Sequence, residues 1–311
     1  MSTPLSGKPF ALRSGSFEAR IASVGASLRS LRWNGVDLIV PFGEDEIRPS
    51  MRGAFLAPWP NRIAGGRFEF AGAVHQLVQN EPDTRTAAHG LIAWIDFAAT
   101  AVAPDNLVLT AVIAPQPGYP WRVRVDAEFR LSTAGLSQEI TATNESATSA
   151  PVGLGGHPYL VAESPRARGI DELALELDAE RILLISEDRM LPMREVHVAD
   201  PLADGRDFRE SRRIGRTEIN HAFTGLDRRD GLARARLLAD DGTGVEIEWD
   251  ERCPWVQVYT TDHGAGEEFR SGVAIEPMTC PPDAFNSRRD LLVVPPGGSV
   301  SAGWVIRPVP A

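Results

Sequence analysis

Apolar and polar residues alternate with a period of two along most of this 311-residue chain, and glycine and proline separate the runs. Such alternation sends one side chain of each pair to a core and the next to solvent, the pattern of half-buried strands. Ser16 to Val24 reads as a strand. Ser27 to Ile39 reads as two strands joined at Asn34-Gly35, the strongest short hairpin signal. A second hairpin is predicted where Arg67 to Phe70 and Val74 to Leu77 flank Ala71-Gly72-Ala73. Leu107 to Ala114, Arg122 to Leu131 and Gly135 to Asn144 alternate clearly. Leu173 to Leu177, Ala233 to Leu238, Val245 to Trp249, Val256 to Thr260 and Val273 to Ile275 continue the series, and Ser299 to Ile306 closes it. No long helical period is present; short turns are expected near Met51 and Asp283. Asp200 to Arg216 is polar and reads as a solvated loop. Many short strands with turn signals between them predict a sandwich or barrel. No linker or composition shift divides the chain, so residues 1–311 are expected to form one all-β domain.

Composition narrows the function. An apolar content of 43% supports a sizeable core. A net charge of −10 argues against a nucleic-acid surface and against attraction to anionic lipid. Cys253 and Cys280 are too few for a disulfide framework and lack zinc-site spacing, so they read as ordinary thiols of a reducing compartment. The first nine residues hold no apolar segment like that of a signal peptide, and no apolar run is long enough to span a bilayer. The cytoplasm is the expected location.

Candidate chemistry interrupts the strand pattern at five places. In Ala274-Ile275-Glu276-Pro277-Met278-Thr279-Cys280-Pro281-Pro282-Asp283-Ala284-Phe285-Asn286, Glu276 stands at the end of an apolar run that three prolines are expected to stop. A carboxylate there is either paired, solvated or working, because a buried unpaired charge is costly. Pro58-Trp59-Pro60-Asn61-Arg62-Ile63 projects donors from Asn61 and Arg62 on a stiff segment, with Trp59 offering a flat apolar face. Directional donors beside a flat face suit a sugar; a loop capped by a surface arginine is the other reading. Ala88-His89-Gly90 and Gly155-Gly156-His157-Pro158-Tyr159 each place a histidine beside glycine, which permits close approach of backbone or ligand. Histidine exchanges protons near neutrality, although a lone histidine is often structural. Glu218-Ile219-Asn220-His221-Ala222-Phe223 reads as a polar turn ahead of a strand. His75, His197 and His263 receive no role.

Taken in order, Asn61-Arg62, His89-Gly90, His157-Pro158-Tyr159, Asn220-His221 and Ile275-Glu276 resemble the aldose 1-epimerase (galactose mutarotase) family, over about residues 16 to 306. The stretches around Asn61-Arg62 and Glu276 look like its bacterial branch. The resemblance implies a large antiparallel β-sandwich of the galactose mutarotase-like supersandwich type with a concave sugar-binding face. It also implies interconversion of the α and β anomers of a free aldose. It casts His157 as general acid, Glu276 as general base, and Asn61, Arg62, His89 and Asn220 as substrate-binding residues. No metal or organic cofactor is implied, and the only partner expected is a small monosaccharide. In that scheme His157 starts as imidazolium and Glu276 as carboxylate, which an acidic surround of the histidine would favour. One departure is Asn220, where the family usually has Asp; an amide bonds a hydroxyl but carries no charge. No basic pair follows His89 to hold a phosphate, although Arg85 precedes it. Three alternatives stay open: a sandwich that binds sugar without chemistry, a mutarotase acting on a modified or phosphorylated sugar, and a metal enzyme using His89, His157 and Glu276.

Overall fold

A computed structural model describes residues 3–162, 169–262 and 269–310 of the chain. Two large antiparallel sheets dominate. The nine-stranded sheet runs, in spatial order, through Ala98–Val102, Asn106–Ile113, Val123–Ser132, Gly135–Asn144, Ser299–Val309, Gly244–Trp249, Ala233–Leu238, Ala174–Leu177 and Arg212–Arg213. Its strands alternate as read from the sequence: Leu107, Leu109, Ala111 and Ile113 are buried while the residues between them are half-exposed. The chain's last strand, Ser299–Val309, lies between Gly135–Asn144 and Gly244–Trp249, so the sheet is completed only when the C-terminal segment arrives.

The second sheet runs through Pro192–His197, Ala179–Ile185, Asn220–Leu226, Trp255–Tyr259, Val273–Met278, Gly155–Gly156 and Phe55–Leu56, with Tyr159–Leu160 also paired to Val273–Met278. Phe55 bridges the layers, its ring 5.4 Å from both Phe129 and Trp304 of the nine-stranded sheet. Gly156 fits against the same Trp304, and a Cβ there would fall 2.1 Å from the indole. One apolar cluster holds residues from Leu12 to Ile306, including members of both sheets and of the four-stranded sheet Pro9–Ser14, Phe17–Ala22, Ser27–Trp33 and Val36–Asp37. The fold is thus the all-β antiparallel sandwich expected.

Most predicted strands are present, including the Asn34-Gly35 hairpin, where both residues adopt positive φ. The second hairpin turns on two residues rather than three, because Phe70 pairs with Ala73. The short turns are the 3-10 turn Pro49–Met51 and the helical turn Ala284–Ser287. Asp200 to Arg216 is not simply solvated. Ala203, Phe208 and Ile214 are buried, and Arg212–Arg213 adds an edge strand. Glu276 does not end its strand either: pairing with Trp255–Tyr259 continues through Pro277 to Met278. The segment on the other side is split into Gly155–Gly156 and Tyr159–Leu160, so the missing proline N–H falls where that ladder is already interrupted. His263 lies outside the described residues.

Candidate active site

The central strands of the second sheet are buried on both faces, and the two faces differ in chemistry. Val256, Val258, Val273 and Ile275 enter the main core. Alternation turns Trp255, Gln257 and Tyr259 to the opposite face, with Ala274, Glu276 and Met278 beside them. Register sets Gln257 directly across from Glu276 and from Ala222, and Tyr259 across from Asn220. This face forms the floor of a cavity of about 640 Å³.

The other walls come from loops that the sequence stiffens. Asn61, at φ +52°, accepts a hydrogen bond from the Arg62 N–H (3.0 Å) through Oδ1 and from the His89 N–H (2.8 Å) through its carbonyl. The short strands Arg62–Ala64 and Thr86–Ala88 pair, bringing Arg62 opposite Ala88 and hence beside His89. Gly90 follows at φ +75°; a Cβ there would lie 2.0 Å from the Ala57 carbonyl oxygen, so the close passage of these segments requires glycine. His157 is held by backbone on both sides: its N–H donates to Ala54 and its carbonyl accepts from Gly53, each at 2.9 Å. The imidazole stacks on Tyr159 at 5.2 Å, and His89 meets it edge-on at the same centroid distance.

All six residues expected at a site, Asn61, Arg62, His89, His157, Asn220 and Glu276, line this one cavity. Nε2 of His157 lies 3.3 Å from Oε1 of Glu276, and both side chains are almost wholly buried. His157 Nδ1, His89 Nδ1, Glu276 Oε2 and Gln257 Oε1 are buried without a hydrogen-bond partner. Groups of this kind are costly unless something else completes them. One donor atom each from His89, His157 and Glu276 lies within 4.8 Å of the others, so this trio could also hold a metal ion. Arg62 is clamped by Glu81, which accepts from Nε at 2.6 Å and from a terminal nitrogen at 3.1 Å.

Electrostatics depart from the expected resting state. Burial pushes His157 well below the ordinary histidine value, and His89, Arg48 and Arg62 push it further. Burial likewise raises Glu276 well above the carboxylate range, with Arg62 opposing. His89 falls to about 3, through burial and then Arg62 and Arg48. Glu276 lies against His157, but the other charges acting on the imidazole include the cations Arg48 and Arg62. Burial disfavours the charged form of each group and so works toward a neutral imidazole beside a protonated carboxyl. This form carries the same number of protons as the imidazolium–carboxylate pair, with one proton moved across.

Other expectations shift as well. Trp59 offers no face to a ligand: it is buried against Phe285, and its indole N–H donates to Ala87 O at 3.2 Å. Tyr159, Tyr259, Met51 and Met190 supply the cavity's aromatic and apolar surface. His221 does not join Asn220 there; it lines an adjoining cavity of about 720 Å³, where burial and then Arg206 lower it to about 4. Arg85 is exposed, 3.9 Å from Asp188, and is not among the cavity-lining residues. His75 stacks on Phe68, and His197 accepts from the Ala199 N–H, both away from the cavity. Sequence reading missed Gln257, Glu81 and Met190. Gln257 alone left a signal, as a polar residue at a buried register position between Val256 and Val258. It donates to Asn220 Oδ1 at 2.8 Å, and Asn220 in turn donates to the sulfur of Met190 at 3.6 Å.

The sequence pattern of the Aldose 1-epimerase family matches residues 9–307, and the chain belongs to that family. The uncharacterized protein YihR of Escherichia coli is 34% identical over 294 residues, covering 94% of this chain and 90% of its own. Among solved structures, a putative aldose 1-epimerase of Escherichia coli superposes with a TM-score of 0.83 at 22% identity, covering 97% of this chain and 99% of its own. A galactose 1-epimerase of Lactobacillus acidophilus superposes with a TM-score of 0.77 at 18% identity, covering 96% and 94%. These likenesses establish the galactose mutarotase-like fold. Among the described residues, no helix is long and apolar enough to cross a membrane.

Proposed function

We propose that the protein is a mutarotase that interconverts the α and β anomers of a free aldose within one sandwich domain, with His157 and Glu276 as its acid and base. One observation carries this reading: the 3.3 Å approach of His157 Nε2 to Glu276 Oε1 at the buried floor of a sugar-sized cavity. The ring oxygen and the anomeric hydroxyl share a carbon, so a closely spaced acid and base can reach both. Glu276 as carboxylate takes the anomeric hydroxyl proton while the bond from C1 to the ring oxygen breaks. His157 as imidazolium protonates the departing ring oxygen. The open-chain aldehyde then stands beside a protonated Glu276 and a neutral His157, the pair of states that burial favours. Rotation about C1–C2 presents the other carbonyl face, and the same protons return as the ring closes.

Neither proton leaves the site during the cycle, and the chemistry calls for no metal or organic cofactor. Arg62, His89, Asn61 and Asn220 bond the remaining hydroxyls and fix the ring. The buried, unpaired thiols of Cys253 and Cys280 suit a reducing compartment such as the cytoplasm. Polarimetry on fresh α-D-glucose and α-D-galactose, in chelator-treated buffer, tests the reading. Faster decay of rotation that disappears in Glu276→Gln supports it. Sugar binding with no acceleration for any aldose would replace it with a non-catalytic binding module.

A further inference from the structure

Two imidazoles and one carboxylate meet at the cavity floor, and their spacing suits more than proton transfer. Zinc bonds to histidine nitrogen and carboxylate oxygen are about 2.0–2.2 Å long, so neighbouring donors of a tetrahedral site stand about 3.3–3.6 Å apart. The His157 Nε2 to Glu276 Oε1 separation is 3.3 Å, already one edge of such a tetrahedron. His89 is the third corner, with its donor atom within 4.8 Å of the other two. The His89 ring meets His157 edge-on at 5.2 Å and lines the cavity, so a side-chain rotation would bring its donor in.

We propose that His89, His157 and Glu276 form a zinc-binding site, and that zinc there is a reversible inhibitor rather than a cofactor. The donor set narrows the ion. Two nitrogens and one oxygen suit zinc and other late first-row divalent metals, of which zinc needs no redox partner, whereas magnesium and calcium favour all-oxygen shells. The fourth position opens into the cavity, where water completes the shell. Three protein ligands and one open position are also the pattern of catalytic zinc, so geometry alone leaves the ion's effect undecided.

The outer shell and the proposed chemistry decide it. Ligating histidines ordinarily anchor their second nitrogen to a carboxylate or carbonyl, and losing that anchor weakens metal binding about 10–100-fold. Nδ1 of His157 is buried with no partner, so binding through Nε2 lacks this support. The ion is therefore held loosely enough to exchange. It also occupies the lone pairs that His157 and Glu276 use for proton transfer, so it blocks the reaction proposed above; the inhibitory half of the inference rests on that reading, and the binding half does not.

Titration calorimetry with zinc chloride on chelator-stripped protein, with magnesium chloride as control, reads binding directly. One zinc per chain is expected, no magnesium, and at least tenfold weaker zinc binding in His89→Ala. Saturating sugar should weaken zinc binding, and zinc should slow anomer exchange until chelator is added. Should His89→Ala fold poorly, anomalous scattering at the zinc edge from wild-type crystals locates the ion. A peak between His89, His157 and Glu276 supports the site. No peak there, no stoichiometric binding, or unchanged binding in folded His89→Ala overturns it. Zinc-dependent activity, absent from stripped protein and restored by zinc, would overturn inhibition and the metal-free chemistry together. Binding as expected with no anomer exchange under any condition would keep the site and sink the mutarotase reading alone.

Discussion

Glu81 grips Arg62 with two hydrogen bonds, 2.6 and 3.1 Å long, from a loop that shares the cavity wall with it. The same carboxylate accepts from the Thr84 and Thr86 hydroxyls, so the guanidinium is aimed by a small polar frame rather than by packing. Bidentate pairs fix orientation as well as charge. Glu81→Ala should let Arg62 swing while leaving His157 and Glu276 untouched. KM is expected to rise about fivefold to tenfold, which is about 1–1.4 kcal/mol and below the range for a fully buried charged bond because Glu81 is partly exposed. Initial-rate kinetics decide it: a fall in kcat with KM unchanged would show that Arg62 acts on the reacting atoms instead of holding the sugar.

Removing either member of the buried pair should separate stability from activity. His157→Ala and Glu276→Gln should each slow anomer exchange by about 10²–10⁴, the usual contribution of one positioned acid or base. Glu276→Gln also removes the cost of burying an ionisable carboxyl. Its Tm at neutral pH should therefore equal or exceed that of the wild type. A lower Tm accompanying lost activity would assign Glu276 a structural role.

The shifted pKa values place the two pH limits of activity. Activity requires one proton on the His157–Glu276 pair, whichever atom carries it. A second proton, on His157, stops the reaction at low pH; because burial lowers His157, that limb lies well below 6.5. Loss of the pair's proton stops it at high pH; because burial raises Glu276, that limb lies well above 4.5. The two limbs belong to the pair jointly. The stability signs follow from the same shifts. The raised Glu276 contributes stability that is fully present below its unfolded value and lost as pH rises through its folded value. The lowered His157 costs stability as pH falls below its unfolded value. An acid limb centred at 6 to 7 in kcat/KM would contradict the lowered His157.

How much of this was legible in the chain differs by element. Strands such as Leu107 to Ala114 announce themselves because one face is wet, and the alternation is visible in the letters. The second sheet hides its geometry, because its central strands are buried on both faces and Val273 to Ile275 reads as a short apolar run without alternation. Pro277 then suggested an end that the interrupted neighbouring ladder makes unnecessary. Asn61, Arg62, His89, His157 and Glu276 could be picked out because glycine and proline mark the stiff turns that hold most of them. Glu81 could not, since a loop carboxylate is read as solvated until its partner is seen 19 residues earlier. The protonation of the pair was also beyond reach, because it depends on burial and on cations from Arg48 and Arg62 that no local motif reveals.

Asn220 offers the sharpest test of sugar preference. Its Oδ1 is already engaged by Gln257, and its amide nitrogen meets only the weak acceptor of Met190. The residue thus keeps its N–H donors for anything in the cavity. Gln257 supplies the matching acceptor, because its Oε1 is buried without a partner. A substrate with a hydroxyl at this point donates to Gln257 and accepts from Asn220. Asn220→Asp keeps the size, removes the donor and adds a charge. The carboxylate can still accept from Gln257 and has lone pairs left for a sugar hydroxyl. A hydroxyl that donates to Gln257 loses the donor it accepts from, so KM for neutral aldoses should rise about fivefold, about 1 kcal/mol for one hydrogen bond. The new negative charge also favours the protonated form of Glu276 on the neighbouring strands, so the high-pH limb should move upward. Kinetics on a panel of aldoses across pH check both effects. Unchanged or tighter binding of neutral aldoses in Asn220→Asp would mean that the substrate donates to position 220 rather than accepting from it.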